Sequence, residues 1–479
     1  MSAGEADFGF EISKGVIAKF LMGAIGFAGS VVFARVLGPA GYGAFYVVLT
    51  LVDVLDNPVT GWGMACKKRL TEVDFPLGEA LGSSLLGALL FPIVILPAAY
   101  LLHRSTELYD LSGLFVPFSV LFVTLCLFVV STQILSARAN FSAVQWADTL
   151  RSIFTTPLQL AFVLLGFGAA GMVYGLAVAT ALTVPYVLYR IDVHPVLPTR
   201  SSVFRIASYA KYSVPNGFIG TTQSRIDILL LGALLTSASV GKYQVAMQLT
   251  LAGTFIGEVT STGLMARVSE YWSRDDVSAT SNDVANALGF ASILAIPLFF
   301  GAAAMPNDLL VAVFGPQYGG VGIVLVGIAF FRVVNMQSIQ LGSTVAGLDR
   351  PDLNTRIGLV GLVLNVGLGY LLLLEFGIAG VVAATIVSEL VKYLILEYVV
   401  KQYLPEVPLL TRPLRHQLLS GAIMFAVVDG LHSLMFVSWW GDLVVLVGVG
   451  AAVYSVTLTA ISEPVRTTAR GILSDALDR

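Results

Sequence analysis

Apolar residues in this chain come in long unbroken runs rather than in the alternating or one-faced stripes of a water-soluble fold. A helix needs about 20 apolar residues to cross roughly 30 Å of hydrocarbon, and about fourteen runs of that kind can be laid out. They fall near 13–37, 42–65, 78–102, 112–136, 149–169, 172–191, 208–234, 241–266, 284–305, 320–345, 357–375, 378–400, 416–437 and 442–462. Short polar segments separate them, so the pattern predicts an all-α integral membrane protein of about 14 transmembrane helices. The sharpest cut is Arg35-Val-Leu-Gly-Pro-Ala-Gly-Tyr-Gly43, between the first two runs. Its Gly38, Pro39, Gly41 and Gly43 supply the permissive and fixed φ of a tight turn, so it reads as the tip of a helical hairpin.

The runs repeat. Phe167-Gly-Ala-Ala-Gly171, opening run six, matches Phe376-Gly-Ile-Ala-Gly380, opening run twelve. The loops before them align without a gap, Asn140 with Asp349 and Gln145 with Asn354, and Gly41 falls on Gly241 at a similar offset. Six runs per half is an even number, so the halves run parallel, a transporter plan with the substrate path between two lobes. The expected division is an N-terminal six-helix lobe over 1–192, a C-terminal six-helix lobe over 193–402, and an appended helix pair with a cytoplasmic tail over 403–479.

Composition agrees with the pattern. The chain is 56% hydrophobic and 12% charged, half the charge of a typical soluble domain at about 25%. A net charge of −3 offers no basic surface for nucleic acid. The first run is longer than a signal-peptide core and reads as a retained helix. With the N-terminus inside, the cytoplasmic segments collect most Lys and Arg, including Lys14, Lys67, Lys68, Arg69, Arg138, Arg151, Arg190, Arg205, Arg470 and Arg479. The opposite loops hold Arg104 and Lys242, with Arg35 at the rim. By the positive-inside rule both termini are cytoplasmic and the Arg35–Gly43 turn faces outside. Cys66 and Cys126 read as packing residues, and no histidine has a partner at metal-ligand spacing, so no metal site is expected. Glycine-rich stretches lie inside apolar helices rather than after strands, so neither a nucleotide-binding loop nor a catalytic constellation is expected.

The chemistry must then lie in the polar residues of the runs, because each charge there costs roughly 2.5–3.5 kcal/mol on insertion scales. Run two carries Asp53, Asp56 and Asn57; run seven carries Arg225 and Asp227; run eight carries Glu258; run ten carries Arg332 and Asn335. Glu389 and Lys392, three apart in run twelve, are placed to pair. Asp429 and His432 share a face of run thirteen. At the repeat offset Asp53 meets Gly253, Asp56 meets Ile256, Glu258 meets Pro58 and Arg225 meets Ile25. The shared scaffold therefore does not require these charges. Two readings stand: structural salt bridges, or a hydrated cavity. Arginine's planar fork suits phosphate or pyrophosphate, and the carboxylates could orient it, meet sugar hydroxyls, or carry a coupling proton or cation.

The turn Arg35–Gly43, its partner Val240-Gly-Lys-Tyr243, Ser213-Val-Pro215 with Asp227-Ile-Leu-Leu-Leu-Gly232, and the two Phe-Gly-x-x-Gly turns resemble one family. It is the polysaccharide transporter branch of the flippase superfamily that includes the multidrug and toxic-compound exporters. The resemblance spans about residues 12–402. It implies a multi-pass plasma-membrane flippase, not an enzyme, without cofactor. Such a protein moves an oligosaccharide on a polyprenyl or dolichyl (pyro)phosphate from the cytoplasmic to the outer leaflet by alternating access. Membrane lipids surround it, and glycosyltransferases of the same pathway are the protein partners implied. The candidate substrate-binding residues are Arg225, Arg332, Asp53, Asp56, Asp227, Glu258, Asn335 and, at the outer mouth, Arg35. The alternative is a cation-coupled exporter of small amphiphilic molecules, which would favour an acidic pocket without arginine.

Overall fold

A computed structural model of the protein describes residues 3–72, 74–105, 109, 113–408, 410–434 and 440–467, with the side chains of 3–22, 24, 25 and 440 excluded. The side chain of Lys14, and Arg470 and Arg479 entirely, lie outside the described residues. Nine of the helices described are long and apolar enough to cross a membrane. Two of these, Phe141–Ile191 and Pro351–Tyr403, run for 51 and 53 residues and each fold back on themselves, which gives two predicted runs apiece. The chain divides into two compact units, residues 24–241 and residues 242–479 with 1–23.

The first unit is built from the end of α1 (Ala3–Leu55), then α2 (Asn57–Leu70), α3 (Leu77–Ser105), α4 (Phe115–Ala137), α5 (Phe141–Phe162), α6 (Gly168–Ile191) and α7 (Arg200–Leu234). The turn expected at 35–43 is present: α1 breaks at Gly38, with φ 65° and ψ 179°. A second break at Asp56 divides the predicted run two between α1 and α2. It follows from Pro58, which has no N–H to give the Val54 carbonyl one turn back. Asn57 Nδ2 supplies that bond instead at 3.1 Å, and reaches the Asp53 carbonyl at 2.9 Å.

Two helices begin well before their apolar runs because a cap sets the start. Asn140 accepts from the Ala143 N–H at 3.3 Å, so α5 starts at 141 rather than 149. Thr199 accepts from the Ser202 N–H at 3.3 Å, so α7 starts at 200 rather than 208. In lipid, apolar burial gives little drive for helix association, and close packing of small residues takes over. A Cβ on Gly43 would lie 1.7 Å from the Ser237 carbonyl oxygen, and one on Gly241 would lie 2.0 Å from that of Pro39. The two repeat-related turns thus clasp each other, backbone to backbone. Behind them the core of α2 to α7 gathers Leu81, Phe128, Ile134, Ala147, Val187 and Ile206, while Ile93, Val94 and Leu101 on α3 are left to face lipid.

The second unit takes α8 (Ser237–Thr250) from Lys242 onward, then α9 (Phe255–Ser273), α10 (Val277–Phe290), α11 (Ala295–Ala304), α12 (Pro306–Phe314), α13 (Gly322–Gly347), α14 (Pro351–Tyr403), α15 (Arg412–Leu434) and α16 (Trp440–Ile461). The repeat is written in its backbone. Gly377 breaks α14 with φ 59° and ψ −133°, and Gly168 opens α6 with φ 54° and ψ −133°. Only glycine takes these angles without strain. The break in run two at Asp56 is echoed in run eight by the 3₁₀ turn Leu251–Thr254. Within this unit α15 and α16 dock on α10 and α11: Gln417 Nε2 donates to the Gly289 carbonyl at 2.7 Å, and Tyr454 OH to that of Ile293 at 3.0 Å. The short α12 was not foreseen; Asn307 Oδ1 anchors the chain beyond it by accepting from the Gly320 and Gly322 N–H groups, both at 3.1 Å.

Candidate functional site

The eight candidate residues fall into two groups, one per unit. Arg35, Asp53, Asp56, Arg225 and Asp227 belong to the unit 24–241; Glu258, Arg332 and Asn335 belong to the other. In the first, Arg225 of α7 meets Asp53 of α1 at 2.6 Å, with a third or less of either side chain exposed. Asp56 hydrogen-bonds Thr60 and lies within electrostatic reach of Asp53. Asp227 is half-buried two residues beyond Arg225, and Arg35 is exposed beside the Gly38 turn. A further arginine joins this group. The sequence pattern assigns Arg151 to a cytoplasmic segment, yet the early start of α5 places it nearly three turns into the helix. Its guanidinium lies 4.6 Å over the Phe128 ring, 3.6 Å from Asp148, and within electrostatic reach of Asp53.

The same residues begin a seam that runs along α2 and α7. Thr221 Oγ1 donates to Asn57 Oδ1 at 3.1 Å, and Ser213 Oγ to the Gly61 carbonyl at 2.7 Å. A Cβ on Gly61 would lie 2.8 Å from Val214 Cα, so only glycine lets the helices approach this closely. At the far end Arg69 donates to the Arg205 carbonyl at 2.8 Å and to Ser208 Oγ at 2.7 Å. Glu72 accepts from Arg205 at 2.9 Å and Arg69 at 2.5 Å. Those two guanidiniums, Arg205 foremost, hold its carboxyl below the usual carboxylate range.

In the second unit Arg332 of α13 has a different environment. Its terminal nitrogen is 3.8 Å from the Met247 sulfur, its guanidinium carbon 5.7 Å from the Phe331 ring centre, and its Nε is buried without a hydrogen-bond partner among the described residues. Glu258 and Tyr243 lie within electrostatic reach. None of the ion pairs among the described residues involves Arg332. Glu258 itself is exposed in the first turn of α9. The pair expected at Glu389 and Lys392 is formed at 3.0 Å, and it engages Asn335, whose Nδ2 donates to Glu389 at 3.1 Å. Asn335 is therefore occupied inside the scaffold. His432 contacts Asp308 at 3.1 Å.

Comparison with known proteins places this arrangement. The family described as "Polysaccharide biosynthesis protein" matches residues 32–322, well over half of the chain. Among curated relatives, the "Probable low-salt glycan biosynthesis flippase Agl15" of Haloferax volcanii is 24% identical over 455 residues, covering 95% of this chain and 96% of its own. The "Probable flippase AglR" of the same organism is 25% identical over 470 residues, covering 94% and 96%. Among solved structures, the lipid II flippase MurJ in an inward closed conformation aligns with a TM-score of 0.78 at 15% identity, over 93% of this chain and 97% of its own. A multidrug resistance MATE family transporter in an inward-facing conformation aligns at 0.62 and 18% identity, over 79% and 95%. The likeness to the solved structures establishes the fold: a multi-pass helical membrane protein built like these transporters.

Proposed function

The chain belongs to the polysaccharide biosynthesis protein family, and from that premise we infer that it is a flippase, not an enzyme, moving a lipid-linked oligosaccharide across the membrane. Both full-length relatives carry flippase names. The task is physically coherent. Sugars and phosphate lose their water without replacement in hydrocarbon, so a passage must offer fixed polar groups while the lipid tail stays in the bilayer. The observation that carries the reading within this chain is Arg332, a cation in an apolar helix whose buried Nε has no hydrogen-bond partner among the described residues. A guanidinium in that condition suits the phosphate or pyrophosphate of a polyprenyl or dolichyl carrier. Arg225, tied to Asp53, positions rather than grips, and Arg151 joins it. Asp53 and Asp56 are where this reading puts a coupling proton or cation.

The direction of movement is from the cytoplasmic to the outer leaflet of the plasma membrane, with both termini cytoplasmic and the Arg35 turn outside. The moving parts are the lobes 1–192 and 193–402, with 403–479 appended; the matched backbone at Gly168 and Gly377 supports that division. On this division α2 and α7 belong to different lobes, so their seam must part for the lobes to rock. Glycosyltransferases of the same pathway are the partners the role calls for. Deleting the protein and identifying the lipid-linked glycan that builds up on the inner leaflet tests the reading. If surface glycosylation is unchanged and no lipid-linked intermediate accumulates, while efflux of amphiphilic cations falls, the exporter reading replaces it.

A further inference from the structure

A polar cavity of about 510 Å³ opens in the unit 24–241 where α4 gives way to α5 and α6 ends, lined by Arg138, Ala139, Asn140, Tyr189, Arg190 and Asp192. It is well removed from the Asp53–Arg225 group: the ten residues of α5 from Phe141 to Arg151 span about 15 Å. Arg138 is fixed there by donating one terminal nitrogen to the Ile191 carbonyl, which leaves a guanidinium further donors of its five. Arg190 arrives from a different helix and is exposed. Asn140, whose Oδ1 caps α5 by accepting from the Ala143 N–H, stands in the cavity wall. Ala139 and Asp192 turn the chain into this wall with left-handed backbone, φ 55° and 50°.

We propose that this cavity binds a phosphate ester that also carries hydroxyl groups. Two guanidiniums arriving from different segments of the chain match the phosphate. The Asp192 carboxylate in the same wall only accepts hydrogen bonds, so a ligand with donors beside its anionic group, as hydroxyls are, matches the whole lining. A glycerol phosphate group has this chemistry, and it has two sources: an anionic phospholipid headgroup, for which exposed Phe141 next to Asn140 offers an apolar shoulder, or a soluble phosphate ester. The site is independent of the flippase reading and of Arg332.

The test uses the full-length chain. In nanodiscs of equal parts phosphatidylglycerol and phosphatidylcholine, native mass spectrometry counts retained lipids for wild type, Arg190→Gln and, as a control for general charge, Arg200→Gln, an exposed arginine outside the cavity wall. In parallel, calorimetry titrates glycerol 1-phosphate into the detergent-purified proteins. A loss of about tenfold in phosphatidylglycerol preference confined to Arg190→Gln, the size of one charge-assisted contact, supports the site with a bilayer source. The same pattern in the calorimetry supports it with a soluble source. Equal behaviour of wild type and Arg190→Gln in both, or an equal loss in Arg200→Gln, overturns it. Asp192→Asn, which keeps an acceptor, tolerates the left-handed backbone and removes the negative charge, is expected to bind at least as tightly; loss of binding in that variant alone would also overturn the proposal.

Discussion

Arg225 and Arg332 are both guanidiniums in membrane helices, and each faces the same insertion cost of about 2.5–3.5 kcal/mol. The chain treats them differently. Arg225 is met by a carboxylate at 2.6 Å; Arg332 is met by a thioether at 3.8 Å and an aromatic ring, with Tyr243 and Glu258 in electrostatic reach but no ion pair and no partner for Nε among the described residues. Sulfur and aromatic faces soften the isolation of a cation without cancelling its charge. A charge neutralised by its own chain serves the scaffold, and a charge only softened is kept for something that arrives. The strongest test is therefore Arg332→Ala. Loss of two charge-assisted bonds to a phosphate, each worth about 1.5 kcal/mol or more, should slow transport of a lipid-linked oligosaccharide in proteoliposomes by about 100-fold. Arg332→Lys should recover part of it as a point charge without the fork. Wild-type transport by correctly inserted Arg332→Ala protein would erase the distinction.

The converse is that scaffold positions should register in stability before transport. Gly43 is the most demanding, because its missing Cβ would sit 1.7 Å from a carbonyl oxygen. Gly43→Ala should cost about 3 kcal/mol, the upper end for overpacking. Gly220→Ala, with nothing within 4 Å of its Cβ, should be neutral or slightly stabilising in a helix. Thermal unfolding of the two proteins in detergent reads the difference, and equal stabilities would mean that the Gly43–Gly241 clasp does not hold the fold.

Next in size is the Asp53–Arg225 pair. Removing one partner of a fully buried pair costs about 3–5 kcal/mol. Both side chains here keep about a quarter to a third of their surface, 27% and 33%, so about 1–2 kcal/mol is expected for Asp53→Asn or Arg225→Gln. The double variant should regain most of it, because no unpaired charge is left. A double variant as unstable as the sum of the singles would show that each residue has other partners of greater weight.

The sequence pattern anticipates the apolar runs, the hairpin turns and the repeat because these are local: runs of twenty apolar residues and glycines at positive φ need no tertiary knowledge. The repeated glycine turn, read from Phe-Gly-x-x-Gly, reappears with nearly identical dihedrals at Gly168 and Gly377. The roles of the charges were less legible. Asp53 and Arg225 lie 172 positions apart, and nothing local distinguishes Arg225 from Arg332. Arg151 was misplaced because a single cap, Asn140, carries α5 eight residues beyond its apolar run. The nine residues of α12 are too few to give a periodic signal.

The smallest expected effect concerns a third kind of charge, neutralised by its own chain but in water. Glu72 joins Arg69 of α2 to Arg205 of α7 beyond the end of the apolar helix, with 29% of its side chain exposed. Its carboxyl is held below the ordinary value of 4.5, so whatever it adds to the seam is fully present above that pH and is lost as pH falls through the lowered value. Salt should weaken it as well, since exposed charges are screened. Unlike Asp53–Arg225, this contact lies beyond the apolar stretch of its helix, which suits the end of a seam that must open and close in each cycle. Spin labels at the exposed positions Thr71 and Ser201 read that end directly. At pH 7 their distance distribution should be narrow; on lowering the pH well below 4.5 it should broaden, and Glu72→Gln should be broad at both. A distribution that stays narrow in Glu72→Gln at pH 7 would assign the closure of this end to the packing of Gly61 on Val214 instead, and with it remove the pH dependence.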